Sequence, residues 1–284
     1  MHEIELPRPV GFVLGGGGSL GAGQVGMLRA LAEFRIRPDL VIGTSVGSVN
    51  GALLALDPDN APTRLEGIWQ RMTRAKVFPG GPLAQLRTVR LHKNHIFPNT
   101  GLADILATEL AGVDDFDKLQ LPFGTVAVDA VTGQAVLLTT GRLTSAILAS
   151  AAIPGVYPPV HIDGRTLYDG GVVANVPIRQ ALASGAKSVV VLDCAFPGHL
   201  PRVPESLADA VLFWATLGMR NQAILESERA STEVPVLYLP GAPVQAVSPL
   251  DFGHTGELIG NAYTSSAAFL ADVRIDGPGL YGKP

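Results

Sequence analysis

Two short apolar runs near the start of the chain each stop at glycine and lead into a helical pattern. Residues 10–14 precede the four glycines at 15–18, after which apolar residues recur at helical spacing. Residues 40–42 stop at Gly43, and a second helical stretch follows as far as Pro58. Consecutive strand–turn–helix units are typical of a parallel sheet covered by helices. The first 58 residues therefore predict the start of an α/β fold.

The following segment, residues 59–100, has a different character. Four prolines separate short helical pieces, and basic residues are interspersed with aliphatic ones. We interpret this segment as a cap or insertion outside the sheet. The stretch at 86–97 either contacts an anionic membrane surface or is a solvated cap helix.

The remaining patterns indicate further strands and helices of the same domain. The sequence predicts β-hairpins over 123–139 and 160–167 and a helix over 143–151. It also predicts a helix from Pro177, a buried strand at 188–193, a helix over 206–230 and a strand at 235–239. We therefore expect a single domain over 1–284, with a C-terminal region from about 200 that is mainly helical.

Charge and cysteine content exclude several classes of function. A net charge of −4 gives the chain as a whole no basic field to attract a polyphosphate backbone, so we expect no nucleic-acid partner. The single cysteine, Cys194, excludes an intrachain disulfide framework and a thiolate-rich metal cage. The first ten residues lack a secretory pattern, and no apolar run is long enough to span a bilayer. We expect a cytoplasmic protein, peripheral to the membrane at most, with no metal and no cofactor.

The pentapeptide Gly43-Thr44-Ser45-Val46-Gly47 fits G-x-S-x-G between a strand and a helix. In that context the motif is typical of a nucleophile elbow, where the serine hydroxyl is exposed on a sharp turn. Small residues at the two glycine positions avoid crowding against the neighbouring strand and helix. An alternative interpretation is a glycine-padded turn with Ser45 as the helix N-cap.

The glycine run that follows the first strand has two interpretations. Its backbone N–H groups, those of Gly16, Gly17 and Gly18 in particular, are suited to bind an oxyanion near Ser45. The spacing Gly16-x-Gly18-x-x-Gly21 also fits a dinucleotide-binding fingerprint. That fingerprint requires an acidic residue at the end of the second strand, whereas Asp39 lies at its beginning. The oxyanion interpretation is therefore favoured.

A serine nucleophile also needs a group that accepts its proton. In the α/β-hydrolase order a histidine follows the acid in the chain, and the candidates here are His161, His199 and His254. None of them lies in a recognisable catalytic loop motif. Asp169 is the stronger candidate, since it ends a predicted hairpin and precedes Gly170 and Gly171, which allow close backbone approach.

Four ordered blocks together resemble the patatin-like phospholipase family. They are the glycine loop, G-T-S-V-G, A-S-A-A-I-P-G-V-Y-P-P-V at 149–160 and D-G-G-V-V-A-N-V-P-I at 169–178, and the resemblance extends over about 11–195. The resemblance implies a three-layer α/β/α sandwich with a mainly parallel sheet and the nucleophile elbow after the second strand. It also implies lipid acyl hydrolysis by a Ser45–Asp169 dyad without histidine, with Gly16 to Gly18 as the oxyanion hole.

One position departs from the family pattern. Leu20 lies where the family often has Arg or Lys, which removes a cation from the loop.

The expected partner is a lipid or another acyl ester, and the expected enzyme is of the phospholipase A, lysophospholipase or carboxylesterase type. A catalytically silent lipid-binding module is the alternative, and the sequence predicts no oligomeric state.

Overall fold

The computed structural model describes residues 4–194, 203, 205, 207–242 and 247–283. Their strands join in one mixed sheet, in the order β5-β6-β3-β2-β1-β7-β8-β9, with β4 paired to β3 beside this path. The strands are β1 (Val10–Leu14), β2 (Leu40–Thr44), β3 (Phe123–Asp129), β4 (Ala135–Leu138), β5 (Val160–Ile162), β6 (Arg165–Asp169), β7 (Ser188–Leu192), β8 (Pro235–Tyr238) and β9 (Gly279–Gly282). Pairing is parallel from β3 through β2, β1, β7 and β8 to β9 and antiparallel for β4, β5 and β6.

Helices cover both faces of this sheet. They are α1 (Ala22–Glu33), α2 (Val46–Leu56), α3 (Ala61–Arg71), α4 (Arg74–Val77), α5 (Pro82–His92), α6 (Thr100–Glu109), α7 (Leu143–Ser150), α8 (Gly171–Ala174), α9 (Ile178–Ala183), α10 (Leu207–Ser231) and α11 (Thr255–Asp272). Short 3₁₀ turns span Gly18–Gly21 and Phe116–Lys118. In the described ranges, no helix combines the length and the apolar character needed to cross a bilayer.

Two hydrophobic cores lie on opposite sides of the sheet. Successive side chains of a strand point to opposite faces, so Phe12 and Leu14 enter one core while Val13 enters the other. The first core contains side chains of α1, α2, α3 and α11, and the second contains side chains of α9 and α10. The expected three-layer α/β/α architecture with a mainly parallel sheet is therefore confirmed.

The register of β3 explains how two distant parts of the chain meet. Val126 pairs with Thr44 of β2 and with Leu137 of β4, whereas Ala127 pairs with Asp169 of β6 and again with β4. A strand has only two edges, and β4 occupies one of them at both positions. Strand β6 therefore continues the edge that β2 occupies, and its last residue, Asp169, lies where β2 ends.

The segment predicted as a cap divides into two parts. Helix α3 packs Leu65, Ile68 and Trp69 in the first core, so this helix belongs to the body of the domain. The part from Arg74 onward, with α4 and α5, contributes no described side chain to either of these two cores, and its Phe78 and Phe97 pack with Tyr157 in a separate small cluster. In the C-terminal region, β8 matches the strand predicted at 235–239, whereas β9, which extends the parallel sheet beside β8, was not predicted.

Candidate active site

Ser45 lies on a strained turn between β2 and α2. Its backbone has φ 55° and ψ −125°, a left-handed conformation that an L-residue adopts at a cost of about 1–3 kcal/mol. The strain places the side chain at the N-terminus of α2, where the helix dipole and unpaired N–H groups favour negative charge. The strained backbone is that of a sharp strand-to-helix turn, but Ser45 is buried and not exposed as the G-x-S-x-G motif predicts.

The two motif glycines allow this turn to form against β1. A Cβ on Gly43 would lie 2.3 Å from the carbonyl oxygen of Gly47, and a Cβ on Gly47 would lie 2.1 Å from that of Leu14. Both distances are far inside van der Waals contact, so any larger residue would force the strand and the helix apart.

Asp169 lies next to Ser45 at the end of β6. The Ser45 hydroxyl hydrogen-bonds to the Asp169 carboxylate, and the Gly171 N–H donates to Oδ1 of Asp169 at 2.8 Å. Both residues are buried. Burial raises the pKa of Asp169 to about 6, although the two hydrogen bonds oppose this increase. The neighbouring Gly170 is needed here because a Cβ would lie 2.5 Å from the carbonyl oxygen of Val126.

The glycine loop approaches the same turn from β1. A Cβ on Gly16 would lie 3.1 Å from Cβ of Ser45, which shows how closely the two backbones approach. The Gly16 N–H donates to the Asn175 carbonyl at 3.2 Å. The amides of Gly17 and Gly18 have no hydrogen-bond acceptor among the described residues. Gly18 has φ +58°, a conformation that favours glycine.

Two further features of the loop concern its ends. A Cβ on Gly21 would lie 2.6 Å from a methyl group of Val46, so this glycine permits contact with the first residue of α2. Leu20, at the position where a cation was expected from the family pattern, is buried in the first hydrophobic core. An apolar side chain there stabilises the loop by burial, in place of an ionic contact.

Ser150, at the end of α7, holds the backbone of the turn. Its Oγ accepts the Ser45 N–H at 2.9 Å and donates to the Val126 carbonyl at 2.5 Å. Ser48 donates to the same Oγ at 2.8 Å and is itself bonded to Thr125. The chain just after Ser150 also contacts Asp169, because the Asp169 N–H donates to the Ala152 carbonyl at 3.0 Å.

Sequence reasoning did not assign roles to Ser150 or to the polar residues that fix the glycine loop. Gln24 donates to the carbonyls of Gly15 and Leu192 at 2.8 and 2.9 Å, and Asn50 donates to Gln24 at 2.8 Å. All these side chains are buried. A polar residue on the apolar face of a predicted helix was the available signal, because buried polar groups require partners.

The histidines named as alternatives have other partners. His161 is exposed on β5 and bonds to Thr166, and His254 is exposed and bonds to Glu257. His199 lies outside the described residues. Within the described ranges, no group of three or more His, Cys, Asp or Glu side chains is arranged to hold a metal ion.

Comparisons with known proteins identify the family of this chain. A family model described as patatin-like phospholipase matches residues 12–182. Patatin-like phospholipase domain-containing protein 7 of Mus musculus is 32% identical over 189 residues, which cover 65% of this chain and 13% of that protein. Lysophospholipase NTE1 of Phaeosphaeria nodorum is 28% identical over 298 residues, which cover 95% of this chain and 19% of that protein. The chain thus spans less than a fifth of the length of either relative.

A solved structure supports the fold independently. VipD from Legionella pneumophila superposes with a TM-score of 0.52 at 15% identity, covering 93% of this chain and 67% of VipD. The family model covers more than half of the chain and includes both Ser45 and Asp169, so this protein belongs to the patatin-like phospholipase family.

Proposed function

We propose that this domain hydrolyses acyl esters of lipids through an acyl-enzyme intermediate on Ser45, with Asp169 as the general base. The hydrogen bond between the Ser45 hydroxyl and a buried carboxylate with a pKa of about 6 carries this proposal. Such a carboxylate is mostly ionised at pH 7 yet more basic than an ordinary aspartate. The names of the relatives, phospholipase and lysophospholipase, support a lipid ester as substrate.

In the first half of the reaction, Oγ of Ser45 attacks the carbonyl carbon of the ester while its proton passes to Asp169. The carbonyl π electrons move to the oxygen and form a tetrahedral oxyanion. Collapse of this intermediate breaks the bond to the alcohol, which leaves with the proton from Asp169. In the second half, water attacks the acyl carbon and gives its proton to Asp169. The bond between the acyl carbon and Oγ of Ser45 then breaks, Oγ takes the proton back from Asp169, and the fatty acid is released.

We assign the oxyanion to the amides of Gly17 and Gly18. This choice narrows the expectation from the sequence, because the Gly16 N–H donates to the Asn175 carbonyl. Gly16 contributes by its missing side chain, which allows the loop to approach Ser45. Preorganised donors of this kind contribute about 2.7–4 kcal/mol each to transition-state stabilisation.

Fatty-acid release from a matched panel of esters tests the proposed activity. We expect the protein to release the acyl chain from at least one of lysophosphatidylcholine, phosphatidylcholine and monoacylglycerol that carry the same chain. Pretreatment with a fluorophosphonate should abolish this release, because it blocks a serine nucleophile. A folded protein that binds these lipids but hydrolyses none would instead support the silent lipid-binding module.

Ser150→Ala tests whether the turn must be held from behind. The substitution removes the acceptor of the Ser45 N–H, so we expect kcat to fall about 10- to 100-fold through misplacement of Oγ. The affected buried groups, including the Val126 carbonyl, also lose partners, which costs about 1–3 kcal/mol in the free energy of unfolding.

Ser227→Ala is the matched control for this experiment. Ser227 is also fully buried and donates to a helix carbonyl, that of Ala223 at 2.7 Å, but lies on α10. The Ser227→Ala variant should be less stable than the wild type without a change in kcat. If Ser150→Ala is less stable yet keeps the wild-type kcat, the hydroxyl has no positioning role.

A further inference from the structure

No described residue covers the apolar side chains of helix α5. None of its described side chains is buried. Leu83, Leu86 and Leu91 are 85%, 66% and 65% exposed, and Val89 is 42% exposed. An isolated helix of this length is marginal in water, and most helices gain their stability by burying an apolar face. The exposed aliphatic side chains therefore indicate a surface that another body covers.

One face of α5 combines leucine with arginine. Leu83, Leu86, Arg87 and Arg90 follow one another at the i, i+3, i+4 and i+7 spacing of a single helical face, and Lys93 extends this face. We call these five residues the α5 face. Long basic side chains beside leucines can extend their charged ends away from the apolar layer that the leucines enter.

The surrounding segment has an unusual charge. Residues 67–103 contain six of the 21 Lys and Arg residues of the chain and none of its 25 Asp and Glu residues, although the net charge of the whole chain is −4. Arg71 pairs with Glu109 at 3.4 Å. The three basic residues of the α5 face form no ion pair with any described residue, so their charge is available to an external anion.

The α5 face is attached beside the candidate active site. Just after α5, the N–H groups of Ile96 and Phe97 donate to the carbonyls of Gly155 and Val156 at 3.0 and 2.9 Å. The same loop begins at Ala152, whose carbonyl accepts the Asp169 N–H. A surface bound to α5 therefore lies close to the chain segment that holds the base.

We infer that the α5 face docks on an anionic lipid membrane, with the leucines in the interface and the basic groups on the lipid phosphates. Leucines and cations on one face match a bilayer surface, which offers both an apolar layer and negative charge. A symmetric dimer through this face would bring identical basic groups together, and a free anion would leave the leucines exposed. This inference extends the proposed function by naming where the enzyme meets its substrate.

Vesicle sedimentation tests the inference without requiring turnover. The full chain should bind vesicles of phosphatidylcholine with phosphatidylserine far more strongly than vesicles of phosphatidylcholine alone, and added salt should weaken binding. The triple variant Arg87→Gln, Arg90→Gln, Lys93→Gln should bind about 100-fold more weakly to the anionic vesicles. Leu83→Ser with Leu86→Ser should weaken binding about tenfold or more through lost apolar contact.

The matched control makes the same change of charge at three exposed positions outside the segment. Replacing Lys118, Lys187 and Arg229 with glutamine should leave vesicle binding within about twofold of wild type, since only charges close to the membrane surface contribute to binding. The inference is wrong if the triple variant of the α5 face binds like this control, or if binding ignores lipid charge. It is also wrong if light scattering shows a dimer that the leucine variant dissociates.

A soluble short-chain ester separates this inference from the proposed function. Every α5 variant should hydrolyse that ester at the wild-type rate, because none of the substituted residues belongs to the candidate active site. Charge-dependent vesicle binding by a protein without esterase activity would leave the docking surface intact and overturn the proposed function. Esterase activity with no preference for anionic vesicles would support the proposed function and overturn the docking surface.

Discussion

Replacing Ser45 with alanine is expected to lower kcat for ester hydrolysis by about 10⁴-fold or more, because the attacking oxygen is removed. The left-handed backbone at this position is equally strained for alanine and serine, so the turn itself should persist. The Asp169 carboxylate loses one hydrogen bond that stabilises its charged form, and its pKa should therefore rise further. Steady-state kinetics on the best ester of the panel, together with a thermal melt, measures both effects.

The Ser227→Ala variant also serves as the control for Ser45→Ala. It removes a hydroxyl from a fully buried serine that donates to Ala223 of its own helix, α10, and it should retain the wild-type kcat. If Ser45→Ala is folded and turns over at the wild-type rate, another residue must carry the acyl group, and the mechanism proposed above is incorrect.

Asp169→Asn is expected to lower kcat by about 10²- to 10⁴-fold, since an amide cannot accept the Ser45 proton. The amide oxygen can still accept the Gly171 N–H, so the local backbone should be preserved. In the wild type, kcat/KM should rise with pH through the pKa of about 6 and level off above it, because only the ionised carboxylate acts as base. The variant should lack this dependence.

The same substitution should raise the thermal stability at pH 8. The pKa of Asp169 in the folded state, about 6, lies above its ordinary value of 3.8, so the folded state holds this proton more tightly than the unfolded state. Stability therefore falls as the pH rises from about 4 to about 6, and the full cost of about 3 kcal/mol remains at higher pH. Asparagine carries no charge and avoids that cost. If Asp169→Asn keeps the wild-type dependence of kcat/KM on pH, Asp169 is not the base.

Local sequence patterns were sufficient to predict Ser45 and the glycine loop as parts of the candidate site. They did not predict the contact between Ser45 and Asp169. Ser45 and the glycine loop each follow a buried strand, and such strand–turn–helix patterns are visible within about 15 residues of sequence. The contact with Asp169 depends on β6 pairing antiparallel with β3 beyond the end of β2. That register is set by strands far apart in the chain, so it was expected only from the family resemblance.

Close packing explains other elements that the sequence did not predict. Helix α11 lies on α1 so closely that a Cβ on Gly26 would be 2.1 Å from the Ile259 carbonyl oxygen. A glycine inside a predicted helix gives no indication of which helix approaches it. Strand β9 contains Gly279 and Gly282, and glycine has low strand propensity, so this segment forms a strand through its pairing with the edge of β8.

Roles that depend on the backbone were the hardest to predict. Ser150 lies in a motif block that was identified from the sequence, yet its contribution is to accept the N–H of a residue 105 positions away. The split among Gly16, Gly17 and Gly18 likewise depends on which amide meets the Asn175 carbonyl. Residue types alone do not indicate the direction of a backbone N–H group.

Mapping a fluorophosphonate adduct by peptide mass spectrometry tests most directly whether Ser45 is a nucleophile activated by Asp169. We expect a single labelled residue, Ser45, with a labelling rate that increases with pH through about 6 in the wild type. In Asp169→Asn the same residue should be labelled far more slowly, and in Ser45→Ala no adduct should form. An adduct on another residue, or equally fast labelling of Ser45 in Asp169→Asn, would contradict the proposed dyad.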